Sequence, residues 1–292
     1  MTNPTGLRRN VAHYGDAEFA AYLRKAFIKA MGYSDAALDR PVIGIVDTGS
    51  GYNACHRNMP DLIEAASRGV MLAGAIPIPF PVISLQESFT HPSTMYLRNL
   101  MAMDAEEMIR AQPMDAVILI GGCDKTVPAL LMGAASADVP AIMLVTGPMM
   151  AGSWRGERLG ACTDCRRFWG RYRAGELDAT EIAEVSGHLA PTIGTCGVMG
   201  TASTMALAVE AMGMEFGLWV EPEMVNPDSQ LFRTHPDWAL QLEGRPLLTM
   251  RNQLVLDIAR PEVADILYPA LPGAAGHALW SRDYTGAATL FG

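Results

Sequence analysis

Short apolar runs alternate with helix-like segments along the first half of the chain, and this alternation most constrains the fold. Runs typical of buried strands lie at residues 41–46, 116–120 and 141–145. Segments with the apolar spacing of helices lie at residues 16–31, 61–74 and 93–111. Parallel strands that are covered by helices on both faces are almost continuously hydrophobic, as these runs are. The sequence therefore predicts an α/β domain, with a parallel sheet and flanking helices.

Polar, glycine-rich turns follow two of these strands. The turn DTGSGYNACH contains Cys55, and the turn GGCDKT contains Cys123. Ligand sites of such sheets lie at the carboxyl ends of the strands, so we expect both cysteines there. A third cysteine, Cys196, lies in a similar turn, GTCGVMGTAST. One cysteine of this kind would be interpreted as a buried, inert thiol, whereas three in polar turns predict a metal cluster.

Two acidic residues and a lysine lie in or near the same turns. Asp124 and Lys125 directly follow Cys123, and Glu87 lies in the string SLQESF. Carboxylate oxygens are hard ligands that suit Mg²⁺, whereas thiolates suit iron, so the pattern predicts sites for two different metals. Helix capping or a surface ion pair is the alternative interpretation of Glu87 and Asp124.

Other motifs carry weaker signals. Cys162 and Cys165 form CTDC, the spacing of half a zinc site or of a redox pair, but no second CxxC or CxxH accompanies them. Two thiols at the start of a helix is the favoured interpretation. His56 is the one histidine that we expect near the chemistry, because it adjoins Cys55. The glycine-rich phosphate loops GxGxxG and GxxxxGK[ST] are absent from the sequence.

The charge and the length of the apolar runs exclude several kinds of partner. A formal net charge of −9 and a pI near 5.1 leave no basic stripe for nucleic acid, and a small anionic substrate would need local positive charge or a metal. The apolar runs are far shorter than the roughly 20 residues that span a bilayer. The string MTNPTGLRRN does not look like a secretory signal. Five cysteines without export predict reduced thiols in a cytoplasmic protein.

Long strings of the sequence resemble those of a known family. They are NACHRNMPDLIEAASRGVMLAGAIP, ESFTHPSTMYLRNLMAMDAEEMIRAQPMDAVILIGGCDKT, LGACTDCRRFWGRYRAGE and GTCGVMGTASTMALAVEAMGM. From about residue 10 to residue 214 the chain resembles the dihydroxy-acid and sugar-acid dehydratases. These strings are most similar to those of the sugar-acid branch, which includes arabinonate and xylonate dehydratases.

The resemblance implies cofactors and roles for particular residues. Cys55, Cys123 and Cys196 would ligate an iron-sulfur cluster of the 2Fe-2S kind. Glu87, Asp124 and a carbamylated Lys125 would hold Mg²⁺, with Asp124 and Lys125 as catalytic residues.

The implied reaction is loss of water from a sugar acid, a 2,3-dihydroxy acid, to give a 2-keto-3-deoxy acid. A cluster held by three cysteines leaves an iron with an open position that can act as a Lewis acid on a departing hydroxyl. Members of the family form dimers or tetramers, so the resemblance also implies a homo-oligomer.

The last part of the sequence departs from this family. In the family, later segments supply a serine base, a further Mg²⁺ ligand and a closing C-terminal domain, whose motifs are not found here. Residues 213–263 instead resemble part of an α-galactosidase type glycoside hydrolase, and residues 261–292 resemble a cystathionine β-lyase type enzyme.

These resemblances predict two parts of different character. Residues 1–214 would form a partial dehydratase-like domain with an incomplete sheet, and residues 215–292 an unrelated tail, in a chain of composite origin. The alternatives to an active dehydratase are a non-catalytic metal-binding fragment or scaffold and, less favoured, an α-galactosidase-like glycosidase. The glycosidase lacks support because the resembling piece stops before the segment with the nucleophilic aspartate.

Overall fold

The computed structural model describes residues 5–11, 15–196 and 200–211 of the chain. The predictions for the tail, at residues 213–263, 261–292 and 215–292, lie outside the described residues. Within the described residues, no helix has both the length and the apolar composition that crossing a membrane requires.

Helices and strands alternate through the described part of the chain. The helices are α1 (Ala17–Ala30), α2 (Met59–Leu72), α3 (Thr94–Ala111), α4 (Thr126–Ala137), α5 (Ala161–Arg173), α6 (Ala179–His188) and α7 (Thr201–Ala211). The strands are β1 (Val42–Asp47), β2 (Ile76–Pro81), β3 (Ala116–Gly121), β4 (Ala141–Val145), β5 (Gly152–Trp154) and β6 (Glu157–Leu159).

The main sheet is parallel and has the strand order β2-β1-β3-β4. Its central strand β1 pairs Ile43 with Pro77 of β2 on one side and with Ala116 of β3 on the other. The α/β prediction is confirmed, and each of the six predicted segments coincides with an observed helix or strand to within two residues at either end.

The strand β2, IPIPFP, was not predicted, and every second residue in it is a proline. Proline lacks an amide hydrogen and is disfavoured inside sheets. Within the described sheet, however, β2 is an edge strand that pairs with β1 alone. The amides of Ile76 and Val82 donate to the carbonyls of Pro41 and Asp47, at 2.8 and 3.0 Å. Because amide directions alternate along a strand, the intervening prolines face the open edge, where no donor is needed.

The sheet is buried on both faces. One face packs against α2, and the other packs against α3 and α4. The strand residues on the α2 face are Ile43, Ile45, Ile118, Ile120, Ile142 and Leu144. Those on the opposite face include Val42, Val46, Val117, Leu119, Met143 and Val145. Burial of both alternating sets explains why these strands read as unbroken apolar runs in the sequence.

A separate small core lies among β5, β6, α5 and α6. Its buried residues are Trp154, Leu159, Phe168, Leu177 and Val185. Strands β5 and β6 form an antiparallel hairpin, which begins at Gly152. A Cβ atom at Gly152 would lie 1.9 Å from the carbonyl oxygen of His188, so only glycine allows α6 to end this close to the hairpin.

Candidate functional site

The turns that follow all four parallel strands lie at the same edge of the sheet. The turn after β4 is joined to Thr195, whose amide donates to the Gly147 carbonyl at 2.7 Å and whose carbonyl accepts from the Met149 amide at 2.8 Å. This pairing brings Cys196 to the edge that also carries the turns after β1 and β3. The carboxyl edge is therefore where distant polar segments of the chain meet.

Two of the three predicted cluster cysteines are in direct contact there. Cys55 and Cys123 are both buried, and their side chains interact directly, so that each shifts the pKa of the other. The Cys123 thiol also lies within hydrogen-bonding distance of Gln86 Oε1 and Asp124 Oδ1, at 3.5 Å each. The backbone amide of Cys196 also donates to the Cys55 sulfur. The structure thus brings all three cysteines, which are far apart in sequence, to one place.

The interaction between the two thiols shifts their pKa values in opposite directions. It is the main cause that lowers the pKa of Cys55 below its ordinary value, and it is the main cause that raises the pKa of Cys123. Loss of one proton from the pair therefore makes loss of the second harder, because two adjacent thiolates repel each other. A thiolate is the form of cysteine that binds metals.

The turn that carries Cys123 requires glycine before it. A Cβ atom at Gly122 would lie 1.9 Å from the hydroxyl oxygen of Thr146 and 2.4 Å from that of Thr195. These two hydroxyls are hydrogen-bonded to each other at 3.0 Å. Only glycine allows the backbone before Cys123 to approach the segment before Cys196 this closely.

His56 connects the turns after β1 and β3. Its Nε2 atom accepts hydrogen bonds from the amides of Gly122 and Cys123 at 3.0 and 3.1 Å, and its Nδ1 atom lies 2.8 Å from the Thr48 carbonyl. The side chain is only 1% exposed. Burial lowers the pKa of His56 to about 4, so the ring is neutral at pH 7. Adjacency to Cys55 was the only sequence signal for a role of His56 near the chemistry.

Asn53 connects the turns after β1 and β2, and sequence analysis did not single it out. Its side-chain oxygen accepts from the Cys55 amide at 3.1 Å, and its amide nitrogen donates to the Leu85 carbonyl at 3.1 Å and to the Ser84 hydroxyl at 3.2 Å. The asparagine two residues before a cysteine in a glycine turn was the available signal. Its long-range partners could not be read from the sequence.

The predicted Mg²⁺ ligands also meet. The ammonium group of Lys125 lies 3.0 Å from Oε2 of Glu87 and contacts Oδ2 of Asp124. Burial tends to lower the pKa of Lys125, but its hydrogen bonds to Asp124 and Glu87 outweigh this effect and raise the pKa above its ordinary value. The two carboxylates therefore already hold one cation between them.

Glu87 is fixed by a second contact, because the hydroxyl of Thr94 donates to its Oε2 atom at 2.5 Å. This bond is the main cause that lowers the pKa of Glu87, followed by the hydrogen bond from Lys125 and, more weakly, the charge of Arg166 on α5. Glu87 is consequently ionised and available as an oxygen ligand at neutral pH.

The residues at this edge have the donor atoms that metals require. Among the described residues, no group of three or more His, Cys, Asp or Glu side chains is arranged to hold a metal ion. Two buried side-chain oxygens in this part of the chain lack a hydrogen-bond partner, Asn58 Oδ1 and Thr126 Oγ1. They belong to the segments that directly follow Cys55 and Lys125. Buried oxygens without a hydrogen-bond partner are uncommon in folded proteins. Beside thiol and carboxylate donors, they fit an edge that binds a metal ion or another ligand.

The cysteines of the CTDC motif lie elsewhere in the fold. Cys165 is in α5 and lines a groove between α5 and α6, together with Phe168 and Trp169. The side chain of Cys162 lies outside the described residues.

Comparison with known proteins identifies the family of this chain. Residues 40–222 match the family described as dihydroxy-acid/6-phosphogluconate dehydratase N-terminal, which is more than half of the chain. The chain belongs to this family. All six residues predicted to bind metals lie within the matched range, as do the four parallel strands of this dehydratase N-terminal domain.

Several dehydratases are similar to this member of the family. The 6-deoxy-6-sulfo-D-gluconate dehydratase of Pseudomonas putida is 46% identical over 176 residues, which are 60% of this chain and 30% of that protein. The L-arabinonate dehydratase of Rhizobium leguminosarum bv. trifolii (strain WSM2304) is 43% identical over 207 residues, 70% of this chain and 36% of that protein. The D-xylonate dehydratase of Caulobacter vibrioides is 37% identical over 195 residues, 67% of this chain and 33% of that protein. The chain thus spans about a third of the length of these relatives.

A second, shorter match overlaps the end of the dehydratase range. Residues 197–277 match the family described as Melibiase. Of these, the structure describes only residues 200–211, which include α7. The composite origin of the chain stays a prediction.

Proposed function

We propose that this chain is the cluster-binding part of a sugar-acid dehydratase, a hydro-lyase that converts a 2,3-dihydroxy acid to a 2-keto-3-deoxy acid. The observation that carries this proposal is the meeting of the Cys55 and Cys123 thiols beside a pair of carboxylates at one edge of the sheet. The three similar proteins described above are named as dehydratases of sugar acids, and these names support the substrate class.

The thiols of Cys55, Cys123 and Cys196 would hold an iron-sulfur cluster of the 2Fe-2S kind. Burial and glycine turns keep the first two together, and the amide of Cys196 already contacts the sulfur of Cys55. When bound, such a cluster supplies an iron with an open position, which can accept the hydroxyl that leaves the substrate.

Glu87, Asp124 and Lys125 would hold Mg²⁺ in the neighbouring position. As an ammonium group, Lys125 occupies the space between the two carboxylates and excludes a second cation. Carbamylation would remove this charge and replace it with an oxygen ligand of the kind that Mg²⁺ prefers. The proposal therefore requires a modified Lys125, and its two carboxylate partners then become metal ligands.

Positive charge near these ligands fits an anionic substrate. The chain carries a formal net charge of −9, so a sugar-acid carboxylate would be repelled by much of its surface. Arg166 of α5 is exposed and close enough to Glu87 for its charge to act on that carboxyl. Together with a bound Mg²⁺, it would offset this repulsion at the candidate site.

The first test is to purify the chain anaerobically and to measure its iron, its acid-labile sulfide and its visible spectrum. The same sample is then incubated with Mg²⁺ and with L-arabinonate, D-xylonate or gluconate while 2-keto acid is assayed. Cluster and keto acid together would establish the proposed activity. Cluster without product would favour the alternative of a non-catalytic metal-binding fragment. No cluster would refute the proposal.

A variant separates the two metal sites. Asp124→Asn keeps the shape of the side chain but removes its charge, so we expect Mg²⁺ to bind about tenfold more weakly with the iron content unchanged. Equal loss of both metals would show that the sites are not separate. Because residues 197–277 match Melibiase, an aryl α-galactoside in the substrate panel tests the glycosidase alternative.

A further inference from the structure

The imidazole of His56 occupies a central position between the two turns that carry Cys55 and Cys123. These turns follow different strands, and the contact between His56 and Cys123 joins residues 67 positions apart. Apart from sheet pairing, such long-range contacts are what fix one strand-end turn against another. The hydrogen bonds to His56 therefore decide how the two thiol-bearing turns sit relative to each other.

The hydrogen bonds define the tautomer of the ring. Nε2 accepts from two backbone amides, those of Gly122 and Cys123, so it carries no proton. The ring proton is then on Nδ1, which donates to the Thr48 carbonyl at 2.8 Å. Thr48 belongs to the turn after β1, and its hydroxyl donates to the carbonyl of Ile120 in β3 at 2.8 Å. The histidine is thus an acceptor towards one turn and a donor towards the other.

The loss of this acceptor would leave two amides of the β3 turn without a partner in a buried place. Buried and unsatisfied amides are costly, so the turn would move to reach water or another acceptor. A movement at Cys123 would separate its thiol from Cys55. Gly122 has no room to compensate, because it already lies against Thr146 and Thr195.

We propose that His56 is a positioning residue for cluster assembly. Its Nε2 atom holds the Cys123 turn against the Cys55 turn, so that the two thiols are adjacent before any iron arrives. The part of this inference that concerns the cluster rests on the proposed function, whereas the part that concerns the thiols does not. This makes the two separately testable.

Two substitutions separate the acceptor role of Nε2 from the donor role of Nδ1. In His56→Gln the side-chain oxygen can reach the position of Nε2 and accept from the Gly122 and Cys123 amides. In His56→Asn the amide nitrogen can take the place of Nδ1 and donate to the Thr48 carbonyl, but no acceptor reaches the two amides. His188→Asn is the control, because His188 is exposed on α6 and its Nδ1 contacts only a carbonyl of its own helix.

The probe is phenylarsine oxide, which binds two thiols that lie close together. The full chain is used with Cys162→Ser and Cys165→Ser, so that the CTDC motif does not bind the probe, and only the folded fraction from gel filtration is analysed. We expect His56→Asn to bind the arsenical at least about tenfold more weakly, whereas His56→Gln and His188→Asn stay within about threefold of the parent chain. The same variants are then reconstituted with iron and sulfide, and cluster yield should follow the same order.

The outcomes separate this inference from the proposed function. Unchanged arsenical binding in His56→Asn, or equal loss in His56→Asn and His56→Gln, would overturn the role of Nε2. The expected order of arsenical binding without any cluster in the parent chain would support His56 as a positioning residue and refute the proposed function. If His56→Asn gives no folded protein, amide hydrogen exchange of the parent chain decides. Slow exchange at Gly122 and Cys123 supports the proposal, and exchange as fast as in an open loop overturns it.

Discussion

The carboxyl edge of the sheet differs in composition from the small core among β5, β6, α5 and α6. At the sheet edge several buried side chains are polar, and Thr48, Asn53 and His56 are all at most 1% exposed. In the small core every buried side chain is apolar, with Phe168 at its centre and ion pairs confined to its surface. The first region has directional contacts in its interior, whereas the second has an apolar interior and its ion pairs at the surface.

The difference shows what each region contributes. Buried polar networks add little net stability, because each hydrogen bond replaces one to water, but they fix the positions of reactive groups. Apolar burial stabilises the fold without regard to direction. We therefore expect substitutions at the sheet edge to change metal binding, and substitutions in the small core to change stability.

The largest expected effect is at the sheet edge. Cys123→Ser should remove most of the bound iron, because an alcohol is a harder and weaker ligand for iron than a thiolate. Cys165→Ser is the matched control, since Cys165 lies in the groove between α5 and α6, and it should keep the iron content of the parent chain. Iron and sulfide analysis after anaerobic reconstitution measures both. Unchanged iron in Cys123→Ser would show that Cys123 is not a ligand.

The next largest effect is in the small core. Phe168 is fully buried and packs edge-on against Trp154 with ring centroids 5.5 Å apart. Phe168→Ala should lower the free energy of unfolding by about 3–5 kcal/mol, through lost burial and the cavity left behind. Urea titration measures this loss. If the two regions act separately, the folded Phe168→Ala variant should also keep the iron content of the parent chain.

A control on the same helix sharpens this prediction. Trp169 follows Phe168 but is 53% exposed. Trp169→Ala should therefore cost only a small part of the loss at Phe168. Equal losses at the two positions would mean that the buried cluster is not what stabilises this region.

Acid should destabilise the sheet edge through His56. In the folded apo protein its pKa is lowered to about 4, whereas in the unfolded chain it has the ordinary value of 6.5. The unfolded state therefore binds a proton below pH 6.5 while the folded state does not, and stability falls as the pH drops from 6.5 towards 4. At pH 5 the loss is about 2 kcal/mol relative to pH 7.5.

Urea titrations of the apo protein at pH 7.5 and pH 5.0 measure this loss, with His56→Gln as the comparison. The variant lacks the titrating ring, so its stability should change less between the two pH values. An identical pH dependence in the parent chain and in His56→Gln would mean that other groups cause it.

The smallest expected effect is at the surface of the small core. Arg155 lies in the hairpin turn between β5 and β6 with φ of 51°, pairs with Glu181 at 2.8 Å and lies over the ring of Trp154. Arg155→Asn loses these contacts, each worth less than about 1 kcal/mol, but gains a residue that favours positive φ in such turns. Urea titration should show a net change below about 1 kcal/mol. A loss above about 2 kcal/mol would show that these surface contacts matter as much as a core side chain.

The parts of the fold that sequence analysis predicted are those with a local signal. The central strands β1, β3 and β4 appear as apolar runs because both of their faces are buried. The strand β2 was missed because its prolines are acceptable only at a sheet edge, and edge position is a property of the assembled sheet. The turns with Cys55 and Cys123 were predicted to lie at strand ends, and the structure places them there.

The alternation of helix and strand and the donor atoms in the turns could be predicted, since both depend on residues adjacent along the chain. Which of these atoms meet depends on how the folded elements pack. The residues next to Asn53 and His56 in the sequence do not reveal their hydrogen bonds to Leu85 and Cys123, because those partners lie in turns that follow other strands. The order of strands in a sheet sets these pairings, and that order follows from packing of whole elements rather than from any local pattern.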